Sequence, residues 1–191
     1  MNIGLYFGSF NPIHIGHLII ANHVLEASDL DKIWFVVSPQ NPLKESATLL
    51  NEYDRLFLVE LAVKDNSKFR ASNVEFHLPK PSYTIDTLTY LKEKFPYERF
   101  SVIMGSDSYR NLHHWKNFEQ IIDQYAIVVY ERPGFPVDKA KTLSENVSFM
   151  EAPFLDISAS YIRKTIQNNL SIKYLVPDVV AAYIEENGYY R

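Results

Sequence analysis

The chain has 191 residues, of which 47% are hydrophobic and 22% are charged, and its net charge is −4. This composition excludes a disordered chain and gives enough apolar side chains for one core. We expect a single domain over residues 1–191, with a small helical part at about 153–191. The acidic balance argues against a nucleic-acid partner, which needs a basic face. The absence of cysteine excludes disulfides, thiolate metal sites and cysteine nucleophiles.

Apolar runs along the chain are short. The run at 33–37 stops far below the roughly 20 residues that span a bilayer, so we expect no membrane partner. The first residues form a strand-like segment without the basic stretch and apolar core of a secretory signal. We therefore expect a cytoplasmic protein, and the sequence leaves open whether its copies form a homo-oligomer.

Strand-like and helix-like segments alternate. Apolar, β-branched runs predict strands at 2–7, 32–38, 99–105 and 125–130, with weaker predictions at 69–76 and 146–150. Helical periodicity predicts helices at 17–27, 52–64, 84–95, 118–124, 158–168 and 177–187. Such alternation is typical of βαβ units. The predicted fold class is α/β, a Rossmann-like doubly wound, mostly parallel sheet with a small C-terminal helical segment.

The segment 8–17, Gly-Ser-Phe-Asn-Pro-Ile-His-Ile-Gly-His, follows the first predicted strand and leads into a helix. Gly8 lacks a Cβ, so a phosphate could approach the backbone, and unpaired amides at a helix start attract anions. His14 and His17 lie three residues apart, which places both imidazoles near one side of the first turn, with Gly16 leaving space between them. The segment therefore predicts a phosphate site.

Two other interpretations of the histidine pair stay open at this point. The pair could be half of a metal site, although no nearby carboxylate completes a ligand set, or two hydrogen-bonded turn residues. The flanking glycines favour phosphate, because an imidazole can donate hydrogen bonds and gain charge as an anion raises its pKa. The chain has neither a Gly-Lys-Ser/Thr P-loop nor a Gly-x-Gly-x-x-Gly fingerprint.

A second segment, Ile157-Ser158-Ala159-Ser160-Tyr161-Ile162-Arg163, completes a known pair of motifs. The pair resembles the nucleotidyltransferase superfamily, which shares the His-x-Gly-His motif with class I aminoacyl-tRNA synthetases. Within it, the nicotinate-nucleotide adenylyltransferase family is the most similar, over almost the whole chain. The resemblance implies transfer of AMP from ATP to nicotinate mononucleotide in NAD biosynthesis, releasing pyrophosphate. It implies that His14, His17 and Arg163 are the catalytic residues.

The resemblance also assigns the ATP site. Gly105-Ser106-Asp107 looks like the Gly-x-Asp that holds the adenosine ribose. The implied ATP-binding residues are Gly8, Ser9, Phe10, Gly16, Gly105, Asp107, Ile157, Ser158 and Ser160. Each key side chain has a simpler alternative: Ser158 could cap a helix, worth about 1 kcal/mol, Arg163 could be a solvated charge, and Asp107 could begin a short helix.

For the acceptor, Ser82-Tyr83-Thr84-Ile85-Asp86-Thr87 is similar to the family segment whose amides, near Tyr83 and Thr84, receive the nicotinate carboxylate. Thr84 could also be an ordinary N-cap. Trp115 matches a tryptophan that stacks on the pyridine ring, or it could be a core residue. Lys44 and Arg132 match basic positions that face substrate phosphates, although isolated basic residues on loops are usually solvated.

Several positions depart from the commoner family pattern. Phe7-Gly8 stands for a glycine pair, Asn11 for an aspartate, Leu43 for a histidine and Ala159 for a serine. These departures weaken the expectation of side-chain contacts at positions 11, 43 and 159. They do not affect the two histidines or the arginine.

The resemblance implies Mg²⁺ as cofactor, bound mainly through ATP phosphates and water, with no protein metal ligand. Two kinds of rival remain. One is an adenylyltransferase acting on nicotinamide mononucleotide or on pantetheine phosphate, the latter generally carrying threonine at the position of His14. The other is a module that senses ATP without turning it over.

Overall fold

The computed structural model describes residues 1–40, 49–153 and 155–191. Within them six strands form one sheet in the order β3-β2-β1-β4-β5-β6, and every neighbouring pair is parallel. The strands are β1 (Asn2–Gly8), β2 (Lys32–Val37), β3 (Phe69–Ser72), β4 (Arg99–Gly105), β5 (Ala126–Tyr130) and β6 (Val147–Met150). This order is that of the Rossmann fold and confirms the predicted class.

Helices cover both faces of the sheet. They are α1 (Ile15–Glu26), α2 (Glu52–Val63), α3 (Thr84–Lys94), α4 (Ser106–Arg110), α5 (Phe118–Gln124), α6 (Ala159–Gln167) and α7 (Asp178–Glu186). Short 3₁₀ turns occur at Val74–His77, Leu112–His114 and Lys139–Lys141. Within the described residues, no helix is long and apolar enough to cross a membrane.

Most predicted elements agree with the structure to within one or two residues. The strand prediction for 69–76 was wrong beyond Ser72, because the chain turns there and buries the Glu75 side chain against Ser82 and Thr87. The first helix begins at Ile15, two residues before the predicted start, since His14 already occupies the N-cap position.

Two apolar cores lie on opposite faces of the sheet. Ile3 and Leu5 of β1 point into one core, together with residues of α3 and α5, whereas Tyr6 points into the other. That second core includes residues of α1 and α2 and also Ile162 and Val180 of the C-terminal helices. Burial on both faces explains the nearly continuous apolar runs of the strands.

The order of the strands reverses between β1 and β4, which are neighbours at the centre of the sheet. Chain connections leave this point in opposite directions, so a crevice forms at the carboxyl ends of the two strands. β1 ends at Gly8 and β4 ends at Gly105. The fold therefore brings two of the predicted ATP-binding segments to neighbouring positions.

A substitution of Gly4, in the central strand β1, tests how tightly the side chains of Ile103 and Leu30 pack against this strand. An added Cβ would lie 2.6 Å from Ile103 Cδ1 and 2.7 Å from Leu30 Cδ1. We expect Gly4→Ala to lower the free energy of unfolding by about 1–3 kcal/mol, measured by urea denaturation, because both side chains must shift. Ile103→Val removes one of the clashing atoms, so the double variant should lose less than the sum of the single losses. Additive losses would contradict this packing.

Candidate active site

The structure brings the imidazoles of His14 and His17 together at the start of α1. His14 has an extended backbone and occupies the N-cap position. The two rings are stacked, with centroids 3.7 Å apart and planes 27° apart. The His14 amide donates a hydrogen bond of 3.3 Å to Nδ1 of His17. Both rings therefore lie at the first turn of a helix, where the helix dipole favours an anion. In this turn the amide of Ile15 donates to the carbonyl of Leu175 at 2.9 Å, and that of His17 donates to the carbonyl of His14 at 3.0 Å.

His14 is nearly enclosed, with 5% of its surface exposed. Its Nδ1 forms no hydrogen bond with any residue that the structure describes. Burial, and then the nearby charge of Arg132, lower the pKa of His14 from 6.5 to about 4. The sequence suggested an imidazole that gains charge beside an anion. In the free protein His14 is instead neutral at pH 7, and any rise in its pKa on anion binding begins from this low value.

Phe10 explains why Gly8 has no side chain. A Cβ at Gly8 would lie 2.8 Å from Cζ of Phe10, so the ring of Phe10 occupies the space that a side chain would need. Phe10 is buried, has a left-handed backbone with φ of 45°, and packs its ring 5.1 Å from that of His17. The packing of Phe10 is therefore a reason for glycine at this position that the sequence did not reveal, and the approach of a phosphate to Gly8 stays a prediction.

Gly16 connects the two sequence motifs. A Cβ added there would lie 3.1 Å from two atoms of the His14 ring and 3.8 Å from Cβ of Ile157. The sequence predicted that Gly16 leaves space between the two imidazoles. The two rings are instead stacked on each other, and the ring of His14 occupies the space that the glycine leaves. Gly16 also places the second motif against the first helical turn.

Arg163 of α6 reaches back to the histidine loop. Its Nη1 donates a hydrogen bond of 2.8 Å to the carbonyl oxygen of Asn11, and its Nη2 donates to Oγ of Ser160 at 3.2 Å. The arginine is half-buried and is not an isolated surface charge. Ser158 accepts a hydrogen bond from the amide of Tyr161 at 3.1 Å and is therefore the N-cap of α6.

Asp107 and Arg132 form an ion pair at the ends of β4 and β5. Nη1 of Arg132 lies 2.9 Å from Oδ2 of Asp107, and the Arg132 amide donates to Oγ of Ser106 at 2.9 Å. A Cβ at Gly105 would lie 2.5 Å from Oδ1 of Asp107 and 2.7 Å from Cδ of Arg132, so a larger residue at this position would displace the paired side chains. Asp107 also lies in the first turn of the short helix α4, which agrees with the alternative prediction that it begins a short helix.

The residues predicted to bind the acceptor, Tyr83 and Thr84, lie at the start of α3. Tyr83, not Thr84, is the N-cap residue, so the prediction of Thr84 as a cap was wrong. The amides of Asp86 and Thr87 both donate to the Tyr83 carbonyl, and the amides of Thr84 and Ile85 precede this hydrogen-bonding pattern. The helix start can therefore receive an anion through two backbone donors.

Side chains around this helix start include further predicted residues. Lys116 pairs with Asp86 at 2.9 Å, and its Nζ lies 4.8 Å from the centre of the Tyr83 ring. Trp115 is half-buried and packs against the core that contains Leu5. Part of its side chain is therefore exposed. Lys44 lies outside the described residues.

No role was predicted for Arg55, for Glu75 or for the side chain of Asn11. Glu75 is buried and accepts hydrogen bonds from Ser82 at 2.7 Å and Thr87 at 3.0 Å. Burial raises its pKa, and the hydrogen bonds, that of Ser82 first, offset part of the rise. Oδ1 of Asn11 accepts from the amide of Leu50 at 3.2 Å, so this asparagine contacts the protein itself.

The position of Arg55 in the sequence could have identified it as a buried charge. It lies on the buried side of α2 with Leu58 and Val59, three and four residues further on. A charged side chain at a position of the apolar stripe is unusual and indicates a specific internal partner. Glu75 gave no comparable signal, because it stood inside a predicted strand.

No group of three or more His, Cys, Asp or Glu that could hold a metal is found within the described ranges.

The low pKa of His14 makes the stability of the protein depend on pH. Between pH 6.5 and 4 the unfolded chain binds more protons than the folded one, so the free energy of unfolding falls as the pH falls. We expect a slope from this residue of up to about 1.4 kcal/mol per pH unit. Urea denaturation of the wild type and of His14→Gln at several pH values isolates it, because other groups titrate in both proteins. Equal slopes would contradict the burial of a neutral His14.

Comparison with known proteins agrees with this arrangement. Residues 5–165 match the Cytidylyltransferase-like family model. A probable nicotinate-nucleotide adenylyltransferase of Flavobacterium psychrophilum is 48% identical, and the alignment covers all of both chains. One of Cytophaga hutchinsonii is 50% identical over all of this chain and 98% of the relative.

Among solved structures, a nicotinic acid mononucleotide adenylyltransferase of Plasmodium falciparum in complex with NaAD has a similar fold. Its TM-score is 0.84 at 24% identity, and the match covers 99% of this chain and 97% of the other. At this identity the likeness concerns the fold alone. The matches in sequence extend over the full length and include both motifs of the site. The chain therefore belongs to the nicotinate-nucleotide adenylyltransferase family.

Proposed function

We propose that the chain transfers AMP from ATP to nicotinate mononucleotide, giving nicotinate adenine dinucleotide and pyrophosphate in NAD biosynthesis. The observation that carries this proposal is the hydrogen bond from Arg163 to the carbonyl of Asn11. It brings a permanent positive charge onto the loop that holds the paired histidines. The names of the curated relatives support the same reaction.

In this reaction a phosphate oxygen of nicotinate mononucleotide attacks the α-phosphorus of ATP. A new P–O bond forms, the bond from the α-phosphorus to the bridging oxygen breaks, and pyrophosphate leaves with that electron pair. The attacking phosphate is already ionised at neutral pH, so no general base is needed. Alignment can contribute about 7–11 kcal/mol, and one preorganised donor about 2.7–4 kcal/mol.

The proposed roles follow the positions of the side chains. His14, as a neutral imidazole, and His17 donate hydrogen bonds to phosphate oxygens, and Arg163 neutralises the charge that builds on the leaving group. Asp107 receives the ribose hydroxyls of ATP. Its carboxylate has about four lone-pair sites, so it can accept them while it is paired with Arg132.

The acceptor would lie at the start of α3. The amides of Thr84 and Ile85 can receive the nicotinate carboxylate, and the half-buried ring of Trp115 can stack on the pyridine. We assign Arg132 and Lys44 to the phosphates of the substrates. The Plasmodium falciparum enzyme was solved with NaAD and with APC, which supports two nucleotide subsites in this fold.

We also propose Mg²⁺ as the cofactor, which would be held mainly by the ATP phosphates and water and not by protein side chains. When bound, it would supply positive charge that neutralises the triphosphate. The chain's own residues, His14, His17 and Arg163, would orient that triphosphate.

We propose the cytoplasm as the site of the reaction.

The choice of acceptor distinguishes this proposal from its nearest rivals. With ATP and Mg²⁺, we expect pyrophosphate release to depend on nicotinate mononucleotide, because the helix start of α3 favours a carboxylate over a neutral amide. Parallel reactions with nicotinamide mononucleotide and pantetheine phosphate provide the comparison. Faster release with either rival acceptor would reassign the substrate. Binding of ATP without release for any acceptor would indicate a sensing module.

His17 tests the role of the paired imidazoles. We expect His17→Ala to lower turnover by about 10²-fold or more, as for a lost donor to a developing oxyanion, with little change in thermal stability. His23→Ala, on the same helix but outside the motif, is the control and should keep turnover. A folded His17→Ala protein with normal turnover would overturn the proposed role.

A further inference from the structure

Arg55 is fully buried, with 0% of its surface exposed. It lies on α2, on the helix side that faces the core. No carboxylate of residues 1–40, 49–153 or 155–191 forms an ion pair with it. A buried charge without a paired charge is costly, so its retention points to a specific use.

The guanidinium donates hydrogen bonds to four backbone carbonyls. Nε donates to Leu50 at 2.8 Å, Nη1 to Ser9 at 2.6 Å and to Ser38 at 2.8 Å, and Nη2 to Pro39 at 3.1 Å. Ser9 belongs to the loop after β1. Ser38 and Pro39 follow the end of β2, and Leu50 precedes the start of α2. One side chain therefore fixes the histidine loop relative to two neighbouring segments.

The bond to Ser9 determines which way the next amide points. In a planar trans peptide the N–H points opposite to the C=O, so drawing the Ser9 carbonyl towards Arg55 turns the Phe10 amide to the other face of the loop. Phe10 has a left-handed φ of 45°, which a bulky residue keeps only when its surroundings determine it. Arg55 is one of those determinants.

Arg55 is also connected to the second arginine of the site. The carbonyl of Leu50 accepts from Arg55, and the amide of the same residue donates to Oδ1 of Asn11. The carbonyl of Asn11 in turn accepts from Arg163. A chain of hydrogen bonds through Leu50 and Asn11 thus connects Arg55 to Arg163, and the loop between the two arginines is held from both sides.

The charge of Arg55 acts on the same loop. A guanidinium stays protonated in proteins, and its field extends further in a buried region than in water. It lies directly behind the Ser9 carbonyl, whereas the phosphate site proposed above is formed by the following residues of the loop. A bound triphosphate would therefore meet a positive charge behind the backbone that cradles it.

We propose that Arg55 is a positioning residue for the polyphosphate of ATP: it holds the loop of Ser9 and Phe10 in its left-handed conformation and adds a buried positive charge behind it. This inference rests on the proposed binding of ATP phosphates by the loop. It assigns Arg55 no contact with substrate.

The test compares Arg55→Lys, which keeps the charge but not the fork of donors, with Arg55→Met, which keeps neither. Dissociation constants for ATP and for adenosine, measured by calorimetry on the full chain, separate phosphate binding from nucleoside binding. We expect ATP to bind about tenfold more weakly to Arg55→Lys, and more weakly still to Arg55→Met, with little change for adenosine. The KM for ATP should rise while the KM for nicotinate mononucleotide stays nearly constant.

Val63→Ala is the matched control, since Val63 is buried on the same helix and is not a partner of Arg55. It should lower thermal stability without changing the ratio of the two dissociation constants. If both Arg55 variants lower stability and keep that ratio, Arg55 has only a structural role and the inference is overturned. If Arg55→Met does not fold, Arg55→Lys decides alone. Wild-type protein that binds ATP but forms no dinucleotide would contradict the proposed reaction, not this inference.

Discussion

The hydrogen bond from Arg163 to the carbonyl of Asn11 is the contact on which the site depends. It joins residues 152 positions apart in sequence, at 2.8 Å. The parallel sheet places the loop after β1 at the crevice between β1 and β4, but the sheet alone supplies no cation above that loop. The C-terminal helices supply it, because Ile162 and Val180 pack into the same core as Tyr6. Packing of an apolar helix face thus positions the charge.

The free site is built around positive charge, although the chain as a whole carries −4. Arg163 contacts the histidine loop, Arg55 lies behind it, and Arg132 is close enough to lower the pKa of His14 after burial has done so. Burial first, and then the charge of Arg132, keep the His14 imidazole neutral at pH 7 in the free protein. An incoming triphosphate would change the sign of the local field, which suits a site that must bind phosphate and then release it as pyrophosphate.

The fold was predictable because its signals are local. Continuous apolar runs such as that of β4 indicate strands buried on both faces, and alternation with helices indicates a parallel sheet. The structural turn after β3 was missed because its cause is the long-range burial of Glu75 against Ser82 and Thr87. No periodicity records a contact of this kind.

The sequence motifs predicted which residues of the site come together, but not all of the contacts that hold them there. The pairing of His14 with His17 follows from helical spacing, and the structure stacks the two rings. The packing of Phe10 against Gly8 was missed, since the left-handed backbone of Phe10 has no signature in a sequence. Arg55 could have been found from its place among Leu58 and Val59, but its carbonyl partners come from three separate segments that only the fold assembles.

The two motifs together are proposed to hold one polyphosphate. A crystal structure of the protein with a non-hydrolysable ATP analogue would show this binding. We expect phosphate oxygens within about 3 Å of both the His17 imidazole and the Arg163 guanidinium. Phosphates that contact only one of these residues, or neither, would contradict the proposal.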